Sequence, residues 1–591
     1  MGYRLGIKLG LHPVCRIRAS APKGEFFKAV DLVPTDLPSR LNWQQSGILF
    51  GRWFYPIGGG VPDWHSNPLT GAKVVAADRD WWLIPDFDPN VGDIKAIWEA
   101  SRFDWVLSFA QQARVCDGNA ETLGRLNHWL KDWCQQNPPY KGPNWKCGQE
   151  ASIRVIHLAV GSLILGRALE PEQSLLELVR IHLQRIEPTL NYAMAQDNNH
   201  GTSEAAALYI GGSWLHSQGL MEGEYWFQLG RKWLENRAAQ LIEEDGSFSQ
   251  YSLNYHRLML DTFCIVEIWR RVFDLMQFSL CWSERSRAAT HWLHSMVCEK
   301  TGDAPNLGAN DGARLLQLTN SDYRDFRPTV QMAMVLFANT RAYSGEGSWN
   351  LPLSWLGVEL PNTTAPTPGS RLFNDGGFAI LRRSGAMVML RYPRFRFRPS
   401  QADALHVDLW LDGRNLLRDS GTFSYNTDTR WLNYFPGTVS HNTVQFDDRD
   451  QMPRISRFLF GDWLKTSYFE PICERGNTTT FAVSYRDRQK AGHWREVSLA
   501  DNGLRVIDKI EGFVNKAILR WKLEPGHWRI EGHRIFNGEH TLILEASMPI
   551  TRLELVAGYE SRYYFDKEKL QVLEVEVHQP GSLTTEYQWT L

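Results

Sequence analysis

Three short stretches gather side chains able to hold an acid or move a proton. In QDNNHGTSEAAALYIGG, Asn198, Asn199, His200 and Glu204 stand directly before an apolar helical run. An Asn, Thr202 or Ser203 can cap that helix, with an acid complementing its dipole. Capping explains one or two polar residues, not Asn-Asn-His together; adjacent amides and an imidazole at a helix start supply donors for a carboxylate. In EDGSFSQYSLNYHRLMLD, Gln250, Ser252, Tyr255, His256 and Arg257 precede a second apolar run. A helical Tyr is usually core. Beside Arg257, however, the phenol has a neighbour that could grip an acidic sugar bidentately and lower the phenol pKa by its charge. The third stretch, PNLGANDGARL, adds Asn310, Asp311 and Arg314, although NDG is equally a turn signal.

A fourth stretch, PSQADALHVDLWLDGRNLLRDSGTFSYN, sets His406 and Asp408 into a strand otherwise written in Leu, Val and Trp. At a period of two, Leu405, Val407, Leu409 and Leu411 share one face, and Ala404, His406, Asp408, Trp410 and Asp412 the other. Such alternation mostly reports half-burial, so a solvated outer face is the plainest reading. The alternative is a substrate-facing sheet carrying an imidazole oriented by Asp408. Downstream lie Asp419, Tyr425, His441, Asn442, Asp447 and Asp448. Two histidines and a carboxylate suit zinc, but their wide separation carries little metal signal.

The elements that must position these groups fall into two halves. The chain of 591 residues exceeds the size at which one core keeps growing. Residues 95–359 repeat apolar positions three and four apart, as in ETLGRLNHWLKDWCQQN and EGEYWFQLGRKWLENRAAQLIEE, and short polar loops separate the segments. That pattern predicts stacked antiparallel helices in a toroid or bundle, with the loops gathered at one rim. After LPNTTAPTPGSRLFNDGG the period becomes two, and residues 360–591 predict a large antiparallel sandwich. Residues 1–94 are expected to pack on the toroid; their Trp-rich LNWQQSGILFGRWFYP could reach the cleft.

Charge excludes some functions. The 64 basic and 66 acidic side chains nearly cancel, against a nucleic-acid or acidic-membrane binder driven by bulk electrostatics. The 25 Trp residues suit carbohydrate faces or helix packing equally. Cys15, Cys116, Cys134, Cys147, Cys264, Cys281, Cys298 and Cys473 lack CxxC spacing and read as buried free thiols. No signal peptide or span of about 18 apolar residues is evident, so a soluble protein, cytoplasmic or periplasmic, is expected.

Taken together, IWEASRF, NWKCGQEASIR, NNHGTSEAAAL, QYSLNYHR, DGRNLLRDSGTFSY and SHNTVQFDD resemble, in order and spacing, the heparinase II/III superfamily of polysaccharide lyases, and especially members found beside bacterial surface-polysaccharide synthesis genes. The resemblance implies an α+β multidomain fold, an incomplete (α/α) toroid followed by a C-terminal antiparallel β-sandwich, and β-elimination at a uronic acid, as in alginate lyase-like enzymes. It places Asn199 and His200 in the loop that neutralises the sugar carboxylate and Tyr255 at the catalytic tyrosine. His406 is carried as a further catalytic candidate. Asn198, Glu204, Gln250, His256, Arg257, Asn310, Asp311, Arg314, Asp408, Trp410 and Tyr425 are expected to bind substrate. Asp419 and His441 fall at metal-ligand positions, for a divalent ion such as Zn or Ca, though a Tyr-centred elimination requires no cofactor. The family's His-x-His pair is absent; Pro399 and Gln401 stand there. The expected partner is an acidic polysaccharide or oligosaccharide, with no nucleic acid and a homodimer allowed for. Two other readings stay open. One is a glycoside hydrolase using two of Glu204, Asp311, Asp408 and Asp419; the other is a non-catalytic polysaccharide-binding protein.

Overall fold

The computed structural model describes residues 2–28, 35–39, 46–57, 60–85, 87–115 and 119–589. Within the toroid half, helices Asp104–Val115 and Asn119–Gln136, Gly148–Ile164 and Gln173–Ile186, Asn199–Ser217 and Glu222–Leu241, and Leu253–Val272 and Leu280–Met296 follow one another across short connections, and Arg327–Ala338 comes after. Most are amphipathic. Helix Asn199–Ser217 is apolar on every side and is buried from Gly201 to Leu215, as such a sequence requires. It packs on Gly148–Ile164, Gln173–Ile186, Glu222–Leu241 and Leu253–Val272. Its N-terminus is therefore fixed by the toroid core.

The packing of Asn199–Ser217 on Glu222–Leu241 depends on absent side chains. A Cβ on Gly230 would lie 2.3 Å from the Tyr209 backbone nitrogen, and one on Gly212 would lie 2.3 Å from that of Phe227. Gly230→Ala is expected to lower stability by about 1–3 kcal/mol, because the two backbones must separate. A thermal melt at or above that of wild type would contradict the close contact.

The helical run ends at Leu351–Trp355, and the strands of the C-terminal half begin at Arg371–Phe373. A five-stranded antiparallel meander comes first, in chain order from Arg371–Phe373 through Phe378–Arg383, Ala386–Arg391 and Val407–Leu411 to Arg414–Leu417. An eight-stranded and a four-stranded antiparallel sheet complete the sandwich. The meander is covered on both faces. Phe378, Ile380, Met387, Met389 and Trp410 pack into the toroid core, while Ala379, Leu381, Val388, Leu390, Val407 and Leu409 pack into the sandwich core. This corrects the outer-face reading of the fourth stretch: His406 and Asp408 are fully buried, because the face opposite the sandwich is roofed by helices rather than water.

Cys15, Cys134 and Cys264 are buried free thiols, Cys147, Cys298 and Cys473 are half-buried, and Cys281 is exposed on a helix, contrary to the expectation of burial; Cys116 lies outside the described residues. Of LNWQQSGILFGRWFYP, residues 41–45 also lie outside them, and the rest forms the hairpin Ser46–Leu49 with Trp53–Pro56. No helix among the described residues is long and apolar enough to cross a membrane.

Candidate active site

A cleft of about 900 Å³ opens where the toroid loops meet the sandwich. Two loops are locked together at its floor. Asn198 caps helix Asn199–Ser217 by accepting the His200 N–H at 3.0 Å, and Ser252 caps Leu253–Val272 by accepting the Tyr255 N–H at 3.2 Å. Between them, the Asn199 N–H donates to Gln250 Oε1 at 2.8 Å, and the Ser249 hydroxyl donates to the Asp197 carbonyl at 2.9 Å. Asp197 and Tyr251 turn these loops at φ of 49° each, in the left-handed region. Asn198, Asn199, His200, Glu204, Gln250 and Tyr255 thereby reach one cavity wall.

The sandwich supplies the opposite wall. Tyr425, on the loop after Arg414–Leu417, sets its hydroxyl 2.9 Å from that of Tyr255. Its backbone N–H donates to the Tyr564 hydroxyl, which donates in turn to Asp93 Oδ2, each at 2.8 Å. Lys95 lies 5.6 Å from the centre of the Tyr425 ring and donates to Asp311 Oδ2 at 2.6 Å. Trp81, Trp82, Trp98, Arg398, Ser400 and Phe458 also line the cleft.

Burial sets the protonation states. It pushes the Tyr255 phenol well above its ordinary range, reinforced by Asp311 and by Tyr425, and it does the same to Tyr425, again with Asp311. Both are neutral at neutral pH. This overturns the expectation that Arg257 lowers the Tyr255 pKa. Burial lifts Glu204 to about 8, so its carboxyl is protonated near neutrality, and it holds His200 below the usual imidazole range, so that ring is neutral. The His200 Nδ1 stands 3.9 Å from Glu204 Oε1. Room for that carboxyl depends on Gly148, where a Cβ would lie 2.7 Å from Glu204 Oε1. Burial would also raise Asp311, but Lys95 and Arg102 outweigh it and hold this acid at about 2.

Several residues expected at the site are elsewhere. His256 stacks on Trp292 at 4.4 Å and bonds the Ala289 carbonyl at 2.8 Å. Arg257 is buried over Tyr323 and Phe326 and donates to Asn254 Oδ1. Asn310 accepts the Tyr323 hydroxyl, and Arg314 donates to the carbonyl and hydroxyl of Ser321. Trp410 donates to Asp408 Oδ1 within the core. The helical period aims His256 and Arg257 at the toroid interior, Asn310 and Arg314 lie in an irregular loop, and the strand period aims Trp410 at the toroid core; none of the five lines the cleft. His406 does not line it either; it lies with Asp419 and His441 in a buried cluster behind the Tyr425 loop. Asn442 holds strand backbones together, and Asp447 caps the turn at residues 514–516.

Sequence reasoning missed Lys95, Arg102, Trp81, Trp82 and Arg398 as cleft residues. Arg398 had a signal in RYPRFRFRPS. Arg391 donates to carbonyls, Arg394 lies over Phe469 and Arg396 pairs with Glu243 at 3.0 Å, whereas Arg398 is delivered exposed to the cleft mouth.

The toroid and sandwich that share this polar cleft are similar, in part by sequence and along most of the chain by fold, to known proteins. Residues 365–571 match the family model described as heparinase II/III-like, C-terminal. A heparin-sulfate lyase of Bacteroides stercoris is 22% identical over 486 residues, covering 76% of this chain and 66% of that protein's length. The crystal structure of heparinase III superposes with a TM-score of 0.65 at 16% identity, over 89% of this chain and 82% of that one. The chondroitin AC lyase of Streptomyces coelicolor A3 superposes with a TM-score of 0.53 at 12% identity, over 83% and 74%. Residues 365–571 thus carry a heparinase II/III-like C-terminal domain, and the fold as a whole is similar to that of heparinase III.

Proposed function

We propose that this protein is a polysaccharide lyase that cleaves an acidic, uronic-acid-containing polysaccharide by β-elimination. The observation that carries the reading is the pair of buried phenols, Tyr255 and Tyr425, with hydroxyls 2.9 Å apart beside Asn199 and His200. The proton α to a uronate carboxylate is weakly acidic, so the barrier falls most through donors that strengthen as enolate charge develops. The Asn199 amide, neutral His200 and protonated Glu204 are such donors. Tyr255 takes the C5 proton when the phenol pair has lost one proton, and returns it to the leaving glycosidic oxygen. The Tyr425 hydroxyl donates to the Tyr255 phenolate while the charge resides there. Exposed Arg398 at the mouth suits a polyanion.

The names of the relatives point to glycosaminoglycan-type chains, and the resemblance to members near polysaccharide synthesis genes points to bacterial capsule, O-antigen or exopolysaccharide processing. The test is ultraviolet absorbance on a panel containing heparan sulfate, chondroitin sulfate, alginate and bacterial uronate polysaccharides. Elimination leaves a conjugated double bond and raises absorbance. Reducing ends released without absorbance would instead mark a hydrolase using protonated Glu204 and ionised Asp311.

A further inference from the structure

The resemblance implies a metal held by Asp419, His441 and a histidine at position 401. Gln401 occupies that position and does other work: it bonds Gly308 in the toroid and donates to the Gly421 carbonyl at 3.2 Å in the sandwich. His406, just before strand Val407–Leu411, brings a third nitrogen to the cluster from a different place. Its Nε2 is 3.5 Å from Asp419 Oδ2, and His441 Nδ1 is 3.0 Å from the same oxygen. Ligands at about 2.0–2.2 Å around a tetrahedral zinc stand roughly 3.3 Å apart, so the distances alone would admit an ion.

The proton inventory does not admit it. The Asn442 backbone N–H donates to His406 Nδ1 at 2.9 Å. A backbone N–H can only donate, so Nδ1 is the bare nitrogen of this ring and Nε2 carries the hydrogen. A metal on Nε2 would require the proton to move to Nδ1, where it would meet the Asn442 N–H head-on. Instead the Nε2–H lies among carboxylates, 3.5 Å from Asp419 Oδ2 and 3.6 Å from Asp408 Oδ2. His406 Nε2, Asp408 Oδ2 and His441 Nε2 have no partner within hydrogen-bond distance, and Asp408 Oδ1 is taken by Asn415 and Trp410. All four groups are inaccessible to water, so the acids need hydrogen donors from within the protein.

We infer that this chain has exchanged the metal implied by its family for imidazole protons, with the His441 Nδ1–H bonded to Asp419 and the His406 Nε2–H directed at it, holding this acid in place without an ion. The consequence is positional. Asp419 Oδ1 accepts the Gly421 N–H at 2.7 Å and shapes the turn from which the chain runs to Tyr425. His406 is thus a positioning residue for the Tyr425 loop. Only this last step rests on the lyase reading; the state of the cluster does not.

The deciding experiment needs no activity assay. The full chain, purified without chelator and dialysed, is expected to carry far less than one equivalent of any metal. Its melting temperature should not move with EDTA, ZnCl₂ or CaCl₂. One equivalent of zinc or calcium retained through dialysis, with a melting temperature lowered by EDTA, would overturn the inference. A variant pair tests the proton bridge. In His406→Gln the amide can both accept from Asn442 and donate to the carboxylates, so it should melt within about 2 °C of wild type, whereas His406→Leu should melt several degrees lower. If Gln falls as far as Leu, the bridge is refuted. Failure of the lyase reading would show only in the absorbance assay and would leave these results untouched.

Discussion

Tyr255→Phe should lower kcat on a uronate substrate by about 10³-fold while leaving KM within a few-fold, because the hydroxyl that exchanges the proton is gone and the ring still fills the cleft wall. The measurement is initial-rate absorbance for wild type and variant, with circular dichroism to confirm an unchanged fold. Tyr425→Phe should lose less, about 10–100-fold, the amount expected from removing one hydrogen bond to a charged oxygen. The two losses should not add in the double variant, since the phenols act as one unit. Both phenols are held above their ordinary range by burial, so wild-type activity should climb with pH on the alkaline side of neutrality. Tyr255→Phe with near-normal kcat would remove this tyrosine from the mechanism.

Glu204→Gln should alter the pH dependence of stability more than any other cleft substitution. Glu204 is an acid whose folded pKa is raised, from 4.5 to about 8, chiefly by burial. The folded state therefore holds the proton more tightly than the unfolded state. Stability from that proton is fully present below about 4.5 and is lost as pH rises toward and through 8. The loss amounts to on the order of 4 kcal/mol by pH 8. In Glu204→Gln that slope should vanish, so the variant gains on wild type steadily across this window in denaturant melts at fixed pH steps. A neutral amide also keeps a donor in the cleft, so activity at neutral pH should stay within about tenfold. A stability difference that does not change between pH 5 and 8 would show that Glu204 ionises normally in the folded protein.

How much of this was legible in the sequence differs from residue to residue. Asn198, Asn199, His200, Gln250 and Tyr255 could be picked out because each sits where a polar loop runs into an apolar helix, and caps at such junctions fix the direction of neighbouring side chains. Both loops do reach the cleft. His256 and Arg257 follow Tyr255 directly and were misread for a related reason. One helical residue turns the side chain by about 100°, so neighbours in sequence leave the cleft and enter the core. Tyr425 was flagged without its partner, since 170 residues separate the two hydroxyls.

By itself, the sequence determined the two halves of the molecule: periods of 3.6 and 2 are properties of local side-chain order, and the change between them falls at residues 360–377 whatever the halves do next. It also determined the apolar central helix that carries Asn199 and His200, while the choice of Asn198 and Ser252 as caps came from the tertiary structure. The tertiary structure alone decided what lies over each strand face. Alternation says that two faces differ; it does not say that helices cover one and a second sheet the other, which turned His406 and Asp408 from surface candidates into buried groups. It alone decided the protonation of Glu204, Tyr255 and Asp311, because burial and the placing of Lys95 arise from contacts hundreds of residues apart. And it alone set the Asn442 N–H against His406, which fixes the side of the imidazole that holds the proton.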